Sequence, residues 1–172
     1  MIIEQNPLFI LRSLEMADAV SLAKYADNRE VWINLRDAFP HPYKISDAEQ
    51  FISIVKSGLA ETVFGICHHN EVIGAIGYKQ GSDVERISAE IGYWIGEPFW
   101  GRGIVTGVVK CMTEFIFFNL DVKRIYAVPF SWNTASHRVL EKAGFNLEGR
   151  MHSSVIKDGK ITDQLLYALI KS

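Results

Sequence analysis

Apolar residues recur along the chain at two spacings, and the changes of spacing divide it into strands and helices. Residues 8–12 read as a short strand, and residues 18–25 place Ala19, Leu22 and Ala23 at helical intervals. Residues 34–43 hold Pro40 and Pro42 among aromatics, which rules out a helix interior and predicts a structured loop. Ser46 followed three residues later by Glu49 is a capping box, opening a helix that should end near residue 59. Strands are predicted over residues 62–68 and 72–78, joined as a hairpin through His69, Asn70 and Glu71. A third runs over residues 87–95, entered from the polar turn at residues 81–83. After a glycine-rich break, residues 104–120 have long helical character and 123–128 form a short strand. Residues 133–143 form a helix closed by Gly144, and two strands, 145–157 and 161–170, turn at Asp158 and Gly159. The order β-α-α-β-β-β-α-β-α-β-β, rich in hairpins, predicts an α/β (α+β) class with a mainly antiparallel sheet and helices on its faces.

Composition narrows the function. A length of 172 residues, 48% of them apolar and 22% charged, fits one domain with a real core and excludes wholesale disorder. The formal net charge of −2 removes the electrostatic reason to expect nucleic acid as a direct partner. Cys67 and Cys111 are too few for a disulfide framework or a cysteine zinc site. The adjacent His68 and His69 would leave a strand on opposite faces, so no metal is expected. The amino terminus carries no secretory pattern, and Lys110 and Glu114 interrupt the most apolar helix, so the expectation is a cytoplasmic protein without a membrane span. Aromatics (12%) and the 13 glycines concentrate together in mid-chain, and that is where the chemistry is sought.

Glu90-Ile91-Gly92-Tyr93-Trp94-Ile95-Gly96 runs through Glu97-Pro98-Phe99-Trp100 into Gly101-Arg102-Gly103-Ile104-Val105-Thr106, where the long helix opens. Glycines at 101 and 103 let backbone N–H groups converge on a ligand, and the helix adds its unpaired amides and positive dipole end. Arg102 can add a charge-assisted contact, which makes a diphosphate cradle. A plain strand-to-helix turn also uses glycines. A Walker loop is excluded because no lysine precedes Thr106. The dinucleotide fingerprint fits poorly, since the spacing is Gly-x-Gly-x-x-x-Gly and Asp121 precedes rather than follows a strand.

The remaining pattern resembles the acetyl-CoA pyrophosphate loop of the GNAT acetyltransferase superfamily, Gln/Arg-x-x-Gly-x-Gly/Ala. Trp100 stands at its first position, Gly101 at the second, Gly103 at the fourth and Val105 at the sixth, where Ala or Gly is usual. Trp100 is common in the RimJ/RimL-type branch of ribosomal-protein N-acetyltransferase-like proteins. The segment from Asn133 through Ala135, Ser136 and Lys142 to Phe145, followed by Leu147-Glu148-Gly149, is similar to that branch's second cofactor segment. Phe39-Pro40-His41-Pro42-Tyr43 resembles its substrate-side loop, and Asp163-Gln164-Leu165-Leu166-Tyr167 its last strand. The resemblance implies a single GNAT domain over residues 1–172, with a central sheet splayed in the middle and about four helices. It also implies acetyl transfer from acetyl-CoA to a primary amine by direct attack on the thioester.

The resemblance assigns roles to residues. An amine is mostly protonated at neutral pH, so a proton acceptor is needed, and Glu90 matches the position where several GNAT branches carry one. A structural carboxylate at a strand end is the alternative. Backbone amides along residues 92–95, with Tyr93, Trp94 and Ile95 beside the cofactor, are the family's source of a hydrogen bond to the thioester oxygen, and Gly92 would permit a bulge. Many GNATs protonate the departing thiolate with a tyrosine seven residues after the segment's Asn. Here that position is Leu140, which leaves Ser136 or water. Residues 100–106 would hold the diphosphate. Asn133 would cap its helix, contact the pantetheine arm, or both. Lys142 is a helix C-terminal charge or a phosphate contact, and His137 reads as a helix-surface imidazole.

On the acceptor side, Asn34, Arg36, Phe39, His41 and Tyr43, with Tyr93, are the expected substrate contacts, although an aromatic loop can also simply pack on the core. Of Tyr93 and Trp94, one should face the acceptor while the other packs inward. The branch points to a protein N-terminal amine, with a polyamine or small amine as the alternative acceptor. Val105 and the missing tyrosine also suit a non-catalytic acyl-CoA-binding module. The run Phe115-Ile116-Phe117-Phe118 reads as helix core rather than a dimer face, leaving the oligomeric state open, a homodimer included.

Overall fold

The computed structural model describes residues 1–58 and 62–171. The chain divides into two units: Met1–Tyr78 with Gly92–Ile104, and Lys79–Ile91 with Val105–Ser172.

In the first unit, strands β1 (Ile2–Gln5), β2 (Ile10–Arg12), β3 (Thr62–His68) and β4 (Glu71–Gln80, through Tyr78) pair antiparallel in sequence order. Leu11 lies opposite Ile66, and Gly65 opposite Ala75. Helices α1 (Ala19–Ala26), α2 (Arg29–Trp32) and α3 (Ile45–Ser57) complete it. Ala19, Leu22, Ala23 and Ala26 of α1 are all buried, so the helical spacing read in the sequence is the face that packs. They join Leu14, Tyr43, Ala48, Ile52, Cys67 and Val72 in one core cluster. Asp18 is nearly buried at the entrance to α1. Burial opposes its charge, but both its oxygens take Arg12 guanidinium bonds at 2.8 Å and one takes the Glu15 N–H at 2.7 Å. The result is a carboxyl held below its ordinary pKa.

Three local features depart from expectation. Strand β1 has no separate signal in the sequence, because its register depends on β2. Helix α2 is only four residues long and is held by Asn28, whose side chain accepts from the N–H groups of Glu30 and Val31. Helix α3 begins two residues before the expected capping box. Lys44 is the N-cap, and its N–H donates to the Asp47 carboxylate at 2.7 Å, so one half of the i, i+3 device is present, displaced from Ser46 and Glu49, while the lysine side chain has no acceptor for the other half. Residue 59, where the sequence placed the end of this helix, lies outside the described residues.

The second unit contains the start of β5 (Ser88–Ile95), β6 (Arg124–Ala127), β7 (Asn146–Lys157) and β8 (Lys160–Ile170), with helices α4 (Ile104–Asn119) and α5 (Thr134–Lys142). Strands β5 and β6 run parallel, with Ala89 opposite Ile125, while β8 pairs antiparallel with both β6 and β7. Val108, Val109, Met112, Ile116, Ile125 and Leu140 are fully buried. Gly144 ends α5 at φ +93°, as its C′ position requires. Asp158 and Gly159 both take positive φ, the turn geometry that closes a two-residue hairpin. The aromatic run on α4 divides: Ile116 is core, but Phe118 is 90% exposed, because its position falls on the outer face of the helix. Among the described residues no helix is long and apolar enough to cross a membrane.

Candidate active site

The strand-to-helix turn at residues 96–103 lies in the first unit. It begins where the Gly96 N–H donates to the Ile73 carbonyl at 2.8 Å. A Cβ on Gly96 would come within 2.9 Å of Tyr25, so glycine lets the turn close against α1. A single 3₁₀ turn, Glu97–Phe99, follows, and the Trp100 indole N–H donates back to the Ile95 carbonyl at 2.9 Å. Gly101 and Gly103 then adopt φ +73° and +77°, the left-handed region that side chains resist. A Cβ at either would meet nothing within 4 Å. Conformation, not crowding, therefore demands glycine here, and the open space is what a ligand needs to approach the backbone. Buried Ile104 starts α4, with Val105 and Thr106 half-buried in its first turn, where N–H groups lack helical partners. Arg102 is exposed, its guanidinium 5.5 Å from the Phe99 ring. This set fits a diphosphate: backbone donors, a helix N-terminus, one exposed cation and room.

Upstream, Trp94 packs inward, its ring 5.5 Å from Phe39 and nearly perpendicular to it. Tyr93 is half-buried and leaves the strand on the other face, and Ile95 is buried. Gly74 and Trp94 approach so closely that a Cβ on Gly74 would sit 2.3 Å from the Trp94 carbonyl.

In the second unit, Glu90 is half-buried on β5 opposite Tyr126 of β6. Asn133 is the N-cap of α5, its carbonyl oxygen accepting the Ser136 N–H at 3.2 Å. Ser136 is half-buried one turn along, and Lys142 is exposed in the last turn, where a cation complements the helix dipole. His137 differs from the surface imidazole expected. It is half-buried, stacks on Tyr167 at 5.7 Å, and its Nε2 lies 3.1 Å from the Phe130 carbonyl. A carbonyl only accepts, so Nε2 carries the proton and His137 pins α5 rather than standing at its surface.

The acceptor-side loop separates into two groups. Tyr43 is 6% exposed and belongs to the core, where burial, reinforced by Asp47, pushes its phenol up to about 12. Phe39 packs between Tyr43 (4.8 Å) and Trp94. The Asn34 side chain donates to the Glu30 carbonyl at 2.9 Å. Arg36 and His41 are exposed. His41 stacks on Trp32 at 5.5 Å and its Nδ1 lies 3.7 Å from Asp27. The sequence pattern assigns no role at the turn to Tyr25, His68 or Phe99, which converge beside the glycines; it raises His68 only as a metal ligand. Tyr25 and His68 meet the Phe99 ring edge-on at 5.2 and 5.7 Å. The one sequence signal was an aromatic residue next to the turn.

Residues 9–146 match the acetyltransferase (GNAT) domain family. The chain belongs to the GNAT acetyltransferase family. Over 165 residues it is 30% identical to the uncharacterized N-acetyltransferase p20 of Bacillus licheniformis, spanning 94% of this chain and 92% of that protein. It is 28% identical over 108 residues to the ribosomal-protein-serine acetyltransferase of Escherichia coli (strain K12), spanning 63% of this chain and 60% of that one. In three dimensions it resembles RimL, the ribosomal L7/L12 alpha-N-protein acetyltransferase in complex with coenzyme A. The TM-score is 0.86 at 22% identity, over 99% of this chain and 98% of that one. The GNAT fold implied by the motifs is therefore the fold observed, and this GNAT protein is an acetyl-CoA-dependent N-acetyltransferase.

Proposed function

We propose that this GNAT chain works as one catalytic domain that acetylates the N-terminal amine of a protein, by direct attack within a ternary complex. The likeness to a ribosomal-protein-serine acetyltransferase carries the choice of acceptor. Two physical points support it. An α-amine has a pKa of ~8 against ~10 for a lysine-like amine, so far less work is needed to deprotonate it at neutral pH. Of the expected acceptor contacts in that loop, the exposed Arg36 and His41 carry no negative charge, which suits a peptide backbone better than a polycation, and Asp37 is the loop's one exposed carboxylate.

Acetyl-CoA supplies the acyl group as a thioester. The amides of residues 101–106 and the Arg102 guanidinium hold its diphosphate, the Asn133 side-chain amide contacts the pantetheine arm, and Lys142 contributes long-range charge. Glu90 accepts the amine proton directly or through one water. A backbone N–H among residues 92–95 donates to the thioester oxygen, and the Ser136 hydroxyl hydrogen-bonds the departing sulfur, which takes its proton from water. Tyr93, Asn34, Arg36 and His41 line the acceptor side, with Phe39 and Tyr43 holding that loop in place.

Thiol release from acetyl-CoA, measured against peptides with free Ser, Ala or Thr termini and against spermidine, tests the reading. Peptides should exceed spermidine in kcat/KM by about tenfold or more. Equal or better use of spermidine would replace the acceptor assignment with a polyamine. Glu90→Gln should lower kcat by ~10²-fold with coenzyme A affinity retained, and an unchanged kcat would remove Glu90 from the chemistry.

A further inference from the structure

The diphosphate turn rests on an aromatic box that no cofactor contact requires. Phe99 is the last residue of the 3₁₀ turn and stands three residues before Arg102. Tyr25 approaches its ring at 5.2 Å and 75°, and His68 at 5.7 Å and 71°, both edge-on. Each partner is itself fixed. The Tyr25 hydroxyl donates to Glu71, which also accepts from Lys24 at 3.2 Å, and the His68 Nδ1 lies 2.9 Å from the Leu8 carbonyl. The absence of a Cβ on Gly96 lets Tyr25 reach this position. Asn28 holds the same turn from another side, donating to Glu97 at 2.6 Å. Two segments distant in sequence, those of Tyr25 and His68, thus converge on one phenyl ring, and the Arg102 guanidinium lies 5.5 Å from its centroid.

We infer that Phe99 is a positioning residue for acetyl-CoA: clamped by Tyr25 and His68, its ring presents the Arg102 guanidinium beside the amides of Gly101 and Gly103, ready for the diphosphate. An arginine loses substantial rotamer freedom when it engages a ligand. A cation resting on a fixed aromatic ring has lost part of that freedom before the ligand arrives, and it remains charged and open to a phosphate. This inference rests on the diphosphate assignment made above, and it adds the reason the cation is in place.

The test is a double-mutant cycle on coenzyme A affinity, read by calorimetry on the full chain. Arg102→Ala should weaken coenzyme A by about tenfold, the scale of one charge-assisted contact. Phe99→Leu keeps apolar volume but removes the aromatic surface, and it should weaken coenzyme A by about fivefold. The double variant should be no weaker than Arg102→Ala alone, because Phe99 acts through Arg102. Phe99→Tyr should restore affinity to within about twofold of the original. Binding of pantetheine, which lacks the diphosphate, should be the same in all four proteins. A merely structural Phe99 would weaken pantetheine as well, or would add to Arg102→Ala in the cycle, and either result overturns the inference. If Arg102→Ala binds coenzyme A as tightly as the original protein, the diphosphate assignment falls and this inference with it. A loss for Arg102→Ala with none for Phe99→Leu overturns only the role of Phe99.

Discussion

Two loops in the first unit do different work with different materials. Under the proposed function, the turn at residues 96–103 acts through its backbone: two left-handed glycines, a 3₁₀ turn and a helix start, with side chains serving mainly to fix its course. The loop at residues 34–43 would act through side chains, and the same aromatics that shape it are also part of the core. Every member of a cofactor-sharing family must meet the same diphosphate, which a backbone can recognise without any particular side chain. Acceptors vary, and side chains are the part of the chain free to vary with them. The proposed function therefore makes recognition of the shared ligand separable from stability at this turn, and recognition of the acceptor entangled with it at the loop.

The sharpest way to break that contrast is at Gly101. Gly101→Val places a β-branched residue at φ +73°, with strain of roughly 1–3 kcal/mol, and puts methyl groups in the space the ligand must enter. Coenzyme A affinity should fall by about 100-fold or more while the melting temperature drops only modestly. A large loss of stability with affinity preserved among folded molecules would show that this turn is as entangled as the other. Phe39→Ala is the reciprocal experiment. Its ring fills space between Tyr43 and Trp94, so truncation should cost about 2 kcal/mol of stability in urea titrations. Coenzyme A affinity of the folded fraction should be unchanged.

The same division decides what could be read in the sequence. Gly101 and Gly103 were legible because positive φ leaves a compositional mark at one position, and the hairpin at Asp158 and Gly159 was legible for the same reason. The long elements α4, β3 and β8 were legible from periodicity, their ends falling within one residue of expectation. Strand β1, the displaced cap of α3 and the exposure of Phe118 were not, since each is settled by which neighbour packs there. His137 was misplaced on the surface because its partners, Phe130 and Tyr167, lie 7 residues upstream and on a different strand. The box around Phe99 is the extreme case: α1, β3 and the turn meet only in the folded chain.

A smaller effect separates the buried from the exposed members of the acceptor-side loop by pH. Burial raises the Tyr43 phenol to about 12 from an ordinary 10, so the folded chain keeps its proton over a range in which the unfolded chain gives it up. The unfolded state therefore binds fewer protons above pH 10, and stability falls as pH rises from there toward 12. The loss is at most about 1 kcal/mol between pH 10 and 11, and less for whatever access water keeps to the phenol. Chemical denaturation at pH 8, 10 and 11 should show the original protein losing this much more than Tyr43→Phe, which has no proton to lose. Identical pH slopes would mean that Tyr43 is not held in the core.

The smallest expected effect falls on the exposed side of the same loop. His41 contributes no core area, and its ring lies on Trp32 with Asp27 3.7 Å away. Removing it leaves Phe39, Tyr43 and the whole glycine turn in place. His41→Ala should raise KM for an N-terminal peptide by about three- to fivefold, leaving stability and the KM for acetyl-CoA unaltered. Arg36→Ala should behave in the same way, and the two together should multiply if each touches the acceptor independently. An unchanged peptide KM in both variants would make this loop a wall of the core and nothing more. Acceptor choice would then have to be sought outside residues 34–43, beginning with Tyr93 on the strand that leads into the turn.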